Sequence, residues 1–280
     1  MNVVNKKYEI IDKLGEGTFG KIYKGKNKFT DEYVAIKFEK KEKNITIKNE
    51  AKIYLLLKHL SCIPKFRAFG RELKYNYLII DLLDKSLEDI IRENTKLKLR
   101  STLLIGMQII KIIEKIHSLH IIHRDIKPEN FMFEFNDKNK IKIIDFGLSR
   151  VYYANDKHLE YKTGRSMVGT IYFISVNVHD GCIPSRRDDM ESIGYILIYM
   201  LLGRLPWHDL KCNSKEERNE KILQLKLELN CKNNIPKEIV DFIIYCRELS
   251  FFAKPDYNYL YNLLNDVFER CCVLREEIFI

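Results

Sequence analysis

The sequence predicts an α+β chain of two unequal lobes, a small β-rich one followed by a larger, mainly helical one. Two observations carry that expectation. Short β-prone runs dominate as far as Asp81, and beyond Lys85 the apolar spacing changes to long helical periods. Interior-forming residues are also plentiful: hydrophobic residues are 46% of 280 and charged residues 31%, which excludes disordered, collagen-like and low-complexity classes. The lobe limits read as 1–83 and 84–280, with no internal repeat and no long linker.

Residues 8–14 and 21–26 are β-prone runs on either side of a glycine-rich turn. Residues 33–38 form a third run and 77–80 a further uncharged one that stops at Asp81. Between them, Ile47, Ala51, Tyr54 and Leu55 follow the i, i+4, i+7, i+8 spacing of an amphipathic helix. Helical periods then cover 101–118, 192–202, 214–229 and 237–249. The first two are apolar around most of their circumference, which places them inside the second lobe.

The charge balance of 48 Lys and Arg against 39 Asp and Glu leaves +9. Basic residues alternate with acidic ones, as in Lys40-Lys41-Glu42-Lys43 and Lys215-Glu216-Glu217-Arg218, so they read as solvated faces and not as a nucleic-acid patch. The excess positive charge remains available to acidic or phosphorylated partners. The longest apolar runs, 101–110 and 193–202, fall short of the ~18 residues that a bilayer span needs. No signal peptide, myristoylation site or prenylation box is expected from the ends. The 7 cysteines show no zinc-type spacing, which suggests reduced, buried thiols in a cytoplasmic or nuclear protein.

Chemistry enters with Gly15-Glu16-Gly17-Thr18-Phe19-Gly20. Glycines let backbone N–H groups come close to phosphate oxygens where a side chain would intrude. Lys21-Ile22-Tyr23-Lys24 reads as a strand, so the motif is a hairpin flap and not the helix-capping loop of a dinucleotide fold. Val34-Ala35-Ile36-Lys37 ends a buried run on a lysine that must meet anions, because a desolvated, unpaired ammonium loses its proton. ATP phosphates and a carboxylate on the neighbouring helix supply that charge, and Glu50 is the candidate. The most specific signal is His123-Arg124-Asp125-Ile126-Lys127-Pro128-Glu129-Asn130, followed by Asp145-Phe146-Gly147. Phosphoryl transfer needs a carboxylate for the nucleophile's proton and oxygens for Mg²⁺. Asp125 suits the first role, Asn130 and Asp145 the second, and Lys127 can neutralise charge on the phosphoryl group. The run of His117, His120 and His123 lacks a metal-ligand pattern and reads as packing and helix-end residues.

These motifs, in this order, resemble the eukaryotic protein kinases over nearly the whole chain. Ser185-Arg186-Arg187-Asp188-Asp189-Met190-Glu191-Ser192, Gly203-Arg204-Leu205-Pro206-Trp207 and Pro255-Asp256-Tyr257 are similar to the casein kinase I family. Ser175-Val176-Asn177 stands where most kinases carry Ala-Pro-Glu and resembles that family's Ser-Ile-Asn. The resemblance implies the bilobal protein kinase fold and a serine/threonine kinase using ATP and Mg²⁺. Asp125 and Lys127 would be catalytic, and Asn130 and Asp145 the metal ligands. Nucleotide contacts would come from Gly15, Gly17, Gly20, Ile22, Ala35, Lys37, Glu50, Asp81 and Leu83, with Ile80 as gatekeeper and the adenine between the lobes. Asp189 would brace the catalytic loop, and Arg186, Arg187 and Asp188 would form a fold-holding ion network.

One departure bears on substrates. The family often has an arginine that binds a primed phosphate, and Tyr172 stands there in Gly169-Thr170-Ile171-Tyr172-Phe173. Tyrosine donates one hydrogen bond and no charge. Arg204 and Lys211 are the candidates for restoring a positive pocket. Acidic or phospho-primed protein substrates are expected, and acidity alone suits the +9 charge better. Thr163, Ser166 and Thr170 are phosphorylatable, yet the resemblance implies an active unmodified monomer. Two other readings rank below this one: a pseudokinase scaffold, whose signature would be loss of Lys37, Asp125 or Asp145, all of which are present, and a nucleic-acid-binding protein, which dispersed charge argues against.

Overall fold

The structure is a computed structural model that describes residues 3–17, 20–41, 46–72, 74–230 and 235–276. In chain order the first elements are β1 (Val3–Val4), β2 (Tyr8–Gly17), β3 (Gly20–Asn27), β4 (Tyr33–Lys40), α1 (Thr46–Leu56), β5 (Phe66–Glu72) and β6 (Tyr75–Asp81). Then come α2 (Leu87–Asn94), α3 (Leu99–Ser118), β7 (Ile121–Ile122), a 3₁₀ turn (Pro128–Asn130), β8 (Phe131–Glu134) and β9 (Asp137–Ile143). After them follow β10 (Arg150–Val151), β11 (Tyr153–Ala154), β12 (Lys157–His158), α4 (Val176–His179), α5 (Arg186–Leu202), α6 (Lys215–Leu227), α7 (Lys237–Glu248) and α8 (Tyr257–Glu276). No helix among the described residues is long and apolar enough to cross a membrane.

Contacts divide the chain into two compact units: Met1–Lys85 with Phe131–Ser149, and Ser86–Asn130 with Arg150–Ile280. The lobe limits read from the sequence differ from this division at residues 84–85 and 131–149. The β8–β9 hairpin is tied to the first unit by the Ile143 N–H to the Cys62 carbonyl (3.0 Å), and by a reciprocal pair from Asp84 to Phe133 (2.9 Å) and Phe133 to Lys85 (3.0 Å). Lys142 adds a bond to the Ile63 carbonyl at 3.2 Å.

In the first unit the six strands lie in the order β1-β2-β3-β4-β6-β5, every neighbour antiparallel. Alternation along β4 explains the core: Val34, Ile36 and Phe38 point to one face and pack with Val4, Tyr8, Tyr77 and Ile79. The opposite face therefore carries Ala35 and Lys37. Register then adds Ile22 opposite Lys37 and Ile80 opposite Ala35, so four residues singled out in the sequence share that face. On α1, Ile47, Glu50, Ala51, Ile53 and Tyr54 are buried; Leu55, expected on the apolar stripe, is exposed, and Ile53 takes its place.

The second unit is built on α3 and α5. Residues Arg187 to Met200 of α5 are buried throughout. Gly106 and Gly194 make this packing possible, since a Cβ on either would overlap Leu197 or Ile243, respectively. Helix α5 starts at Arg186, ahead of the expected 192, where the Asp188 carboxylate turns back to accept the Ser185 N–H at 2.7 Å. It ends at Gly203, left-handed at φ 73°. The sequence also left α2, α8 and β5 unassigned.

Candidate active site

The glycine-rich hairpin forms as a flap, with Gly17 paired to Gly20 across β2 and β3; its tip, Thr18 and Phe19, lies outside the described residues. Gly20 is at φ 143°, and a Cβ there would overlap the Phe38 carbonyl oxygen, so only glycine serves. Gly15 and Gly17 have open space where a Cβ would sit. Below that flap, on the face of β4 away from the core, the Lys37 ammonium bonds Glu50 at 2.8 Å and Asp145 at 2.9 Å. Burial pulls the Lys37 ammonium down, but Glu50 and then Asp145 outweigh it and hold the amine protonated well above its ordinary range. Burial pushes the Glu50 carboxyl up, and Lys37 opposes that shift. Asp145 takes a left-handed φ of 62°. The next residue, Phe146, is fully buried with its ring edge-on to Tyr54 of α1 at 5.0 Å, which anchors this strained turn to the helix that carries Glu50.

Asp81 and Leu83 line a cavity of about 530 Å³ together with Arg67, Glu134, Phe135 and Lys142; Ile22, Ala35, Lys37 and Ile80 do not line it. The Asp81 carboxylate is bonded there by the Arg67 Nε, and Arg67 also reaches Glu32. So the expected nucleotide residues fall into one group on the β4 face and another at the end of β6.

In the second unit the loop that begins at His123 is suspended from α5. Asp189, 2% exposed, accepts the backbone N–H groups of His123 at 2.7 Å and Arg124 at 2.8 Å. Its second partner set includes His117 Nε2 at 3.0 Å, whose other ring nitrogen meets the Tyr257 hydroxyl at 2.8 Å. Asp189 thus does brace this loop, and His117 is engaged there by protein groups. Burial and then the neighbouring Arg150 pull the Arg124 guanidinium down to about 10, which leaves it charged at neutrality.

Asp125, 4% exposed, is gripped on both oxygens. Oδ1 accepts the Thr170 N–H at 3.0 Å and its hydroxyl at 2.8 Å, and Oδ2 lies 2.8 Å from the Lys127 ammonium. Lys127 also donates to the Thr170 hydroxyl at 3.1 Å. Asn130 donates its amide nitrogen to the Asp125 carbonyl at 2.8 Å, so its amide oxygen faces away from that bond. Among the described residues no group of three or more His, Cys, Asp and Glu forms a metal cage. The Asn130 amide oxygen in the second unit and the Asp145 carboxylate in the first are, each by itself, hard oxygen donors of the kind Mg²⁺ takes.

No hydrogen bond or ring contact joins Arg204 or Lys211 to Tyr172. Arg204 is exposed and pairs with Asp209 at 3.6 Å, and Lys211 is exposed. The side chains that meet Tyr172 are His208, edge-on at 4.5 Å, and Arg218, over the ring at 5.3 Å and bonded to the hydroxyl. Arg218 was hidden in the charge run 215–218, and only its place one turn into α6 could have pointed to it. Arg186 donates to the Phe252 carbonyl and the Tyr152 hydroxyl, and Arg187 donates to the Leu249 carbonyl while pairing with Asp188 at 3.9 Å, so the expected network combines one ion pair with bonds to backbone and hydroxyl groups.

Compared with known families, residues 8–255 match the protein kinase domain. The chain belongs to the protein kinase family. The fold expected from the sequence holds: a β-rich N-terminal region and a helical C-terminal region of a kinase domain. As a kinase domain it is a phosphotransferase that binds ATP and acts on protein substrates. The open cradle over Gly15 and Gly17 and the protonated Lys37 fit the polyphosphate of that nucleotide.

Proposed function

We propose that this kinase domain transfers the γ-phosphoryl group of Mg·ATP to serine or threonine hydroxyls of acidic proteins, in the manner of the casein kinase I family. The observation that carries this reading is the Asp125–Lys127–Thr170 cluster, because a lysine two residues after the catalytic aspartate is the form the resemblance associates with Ser/Thr kinases, and here it lies 2.8 Å from that carboxylate. Asp125 orients the hydroxyl and takes its proton as the oxygen–phosphorus bond forms and the bond to the departing ADP breaks. Lys127 balances charge on the moving phosphoryl group. Gly15, Gly17 and Gly20 cover the phosphates, and Lys37, kept charged by Glu50, grips them. Ile22, Ala35, Ile80, Asp81 and Leu83 contact the base. Asn130 and Asp145 would hold Mg²⁺, which when bound neutralises phosphate charge.

The preference for acidity rests on the +9 charge. A requirement for phospho-priming is not favoured, because the guanidinium nearest Tyr172, that of Arg218, is already bonded to the tyrosine hydroxyl. The described cysteines Cys62, Cys182, Cys212, Cys246 and Cys271 form no disulfide, which supports a reducing cytoplasmic or nuclear address.

A peptide series tests the proposal. One acidic sequence is offered with Ser, Thr or Tyr as acceptor, and the Ser peptide also in phospho-primed and neutral-flank versions. Labelling of Ser and Thr, faster with acidic flanks and within a few-fold for the primed twin, is expected. Labelling of Tyr overturns the acceptor assignment, and a primed advantage above tenfold overturns the pocket reading.

A further inference from the structure

Lys226 is a cation in the wrong kind of place. It lies in the last turn of α6, is 0% exposed, and has aromatic rings beneath it: its ammonium sits 5.1 Å from the centre of Tyr195 and 5.6 Å from that of Trp207. A buried ammonium is costly and needs good partners. Here the hydrogen-bond acceptors are two backbone carbonyls, Ile171 at 2.8 Å and Ile174 at 2.7 Å.

Those carbonyls belong to the turn that follows Thr170, the residue bonded to Asp125 and Lys127. The N–H groups of Phe173 and Ile174 close the turn on the Thr170 carbonyl, and the Trp207 indole N–H takes the Tyr172 carbonyl at 2.9 Å. The carbonyls from 170 to 174 that set the turn's path are thus held by the turn itself, by Trp207 and by Lys226. A single side chain supplies the bonds at both ends of the Ile171–Ile174 segment.

We propose that Lys226 is a positioning residue for the phosphoryl acceptor: by clamping the Ile171 and Ile174 carbonyls from beneath, it sets the conformation of the loop that presents acceptor chains to Asp125. The inference rests on the acceptor reading above. It gives the clamp a consequence, because burial pulls the Lys226 amine down to about 7. Glu191 on α5 opposes that fall and Arg247 on α7 adds to it; the imidazole of His179 on α4 also faces Lys226 and is itself pulled to about 4, chiefly by burial. Released to water, the amine would regain its ordinary, higher proton affinity, so protonation favours release. The clamp is therefore weakest in acid and tightens as pH rises through 7.

The test compares wild type, Lys226→Met and Lys226→Arg for KM of an acidic Ser peptide, KM of ATP, peptide-independent ATP hydrolysis and thermal midpoint, from pH 6 to 9. Lys226→Met is expected to raise peptide KM by about tenfold or more while ATP KM and ATP hydrolysis stay within twofold. Lys226→Arg is expected to recover most of the peptide affinity. Wild-type peptide KM should fall as pH rises through 7, and the Arg variant, which stays charged, should be flat. Unchanged peptide KM in a folded Met variant overturns the proposal, and so do equal losses in peptide and ATP parameters. Should Lys226→Met fail to fold, the wild-type and Arg profiles decide: a wild-type profile flat across pH 7 overturns the inference. A wild type that labels no Ser peptide sinks the acceptor reading instead, while intact ATP hydrolysis keeps the two failures apart.

Discussion

Replacing Asp189 with Asn probes how the catalytic loop is held. Arg124 sits at φ 69°, a left-handed conformation that costs a non-glycine residue about 1–2 kcal/mol. The Asp189 carboxylate compensates by accepting the N–H groups of His123 and Arg124 and a bond to His117. In Asp189→Asn one oxygen remains, and the new amide N–H₂ faces a donor. The loss is one charge-assisted bond, worth roughly 1.5–3 kcal/mol, and a weakened second, about 3 kcal/mol in all. Asp125 is next along the chain, and a displacement on the order of 1 Å costs about a hundredfold in rate. Urea unfolding and peptide kcat measure both effects. Less than about 1 kcal/mol of destabilisation, or kcat within twofold, would refute the bracing role. Burial alone would push the Asp189 carboxyl up, but the His117 bond and then the His117 and His123 charges hold it below its ordinary value. Its stabilising contribution is therefore present above ~pH 4, is lost only as acid protonates it, and leaves no signature near neutrality.

Other variants separate the remaining parts. Lys37→Met leaves the buried Glu50 and the half-buried Asp145 without this shared cation, and kcat should fall on the order of 10²–10³-fold with circular dichroism unchanged; activity within tenfold would remove Lys37 from the site. Gly20→Ala drives a Cβ into the Phe38 carbonyl at an unfavourable φ, so the urea midpoint should drop and ATP KM should rise severalfold; unaltered values would mean the flap does not need glycine there.

The motifs were legible because phosphate chemistry demands particular residue types at fixed spacing, and Lys37, Glu50 and Asp145 do converge. The first turns of α5 were not, since Arg187, Asp188 and Asp189 are charged and yet buried, a pairing that polarity alone reads as loop. Strand β5 escaped notice because its residues are half-buried at the sheet edge, with Arg67, Arg71 and Glu72 blurring the alternation. Residues 131–149 join the first unit through bonds to Cys62, Ile63 and Lys85, contacts that no local pattern announces. Arg218 and Lys226 share that difficulty: their partners, Tyr172 and the Ile171 and Ile174 carbonyls, are remote in sequence, and α6 reads as an ordinary charged helix.

Transfer of terminal phosphate is the most direct measurement. Purified protein is incubated with γ-labelled ATP, Mg²⁺ and an acidic protein, beside an Asp125→Asn variant whose nucleotide binding is checked by calorimetry. Label should appear on serine and threonine with the wild type and be lost with the variant, which should still bind ATP. Unlabelled acceptor with the wild type, or equal labelling by the variant, would contradict the assignment of Asp125 and the chemistry built on it.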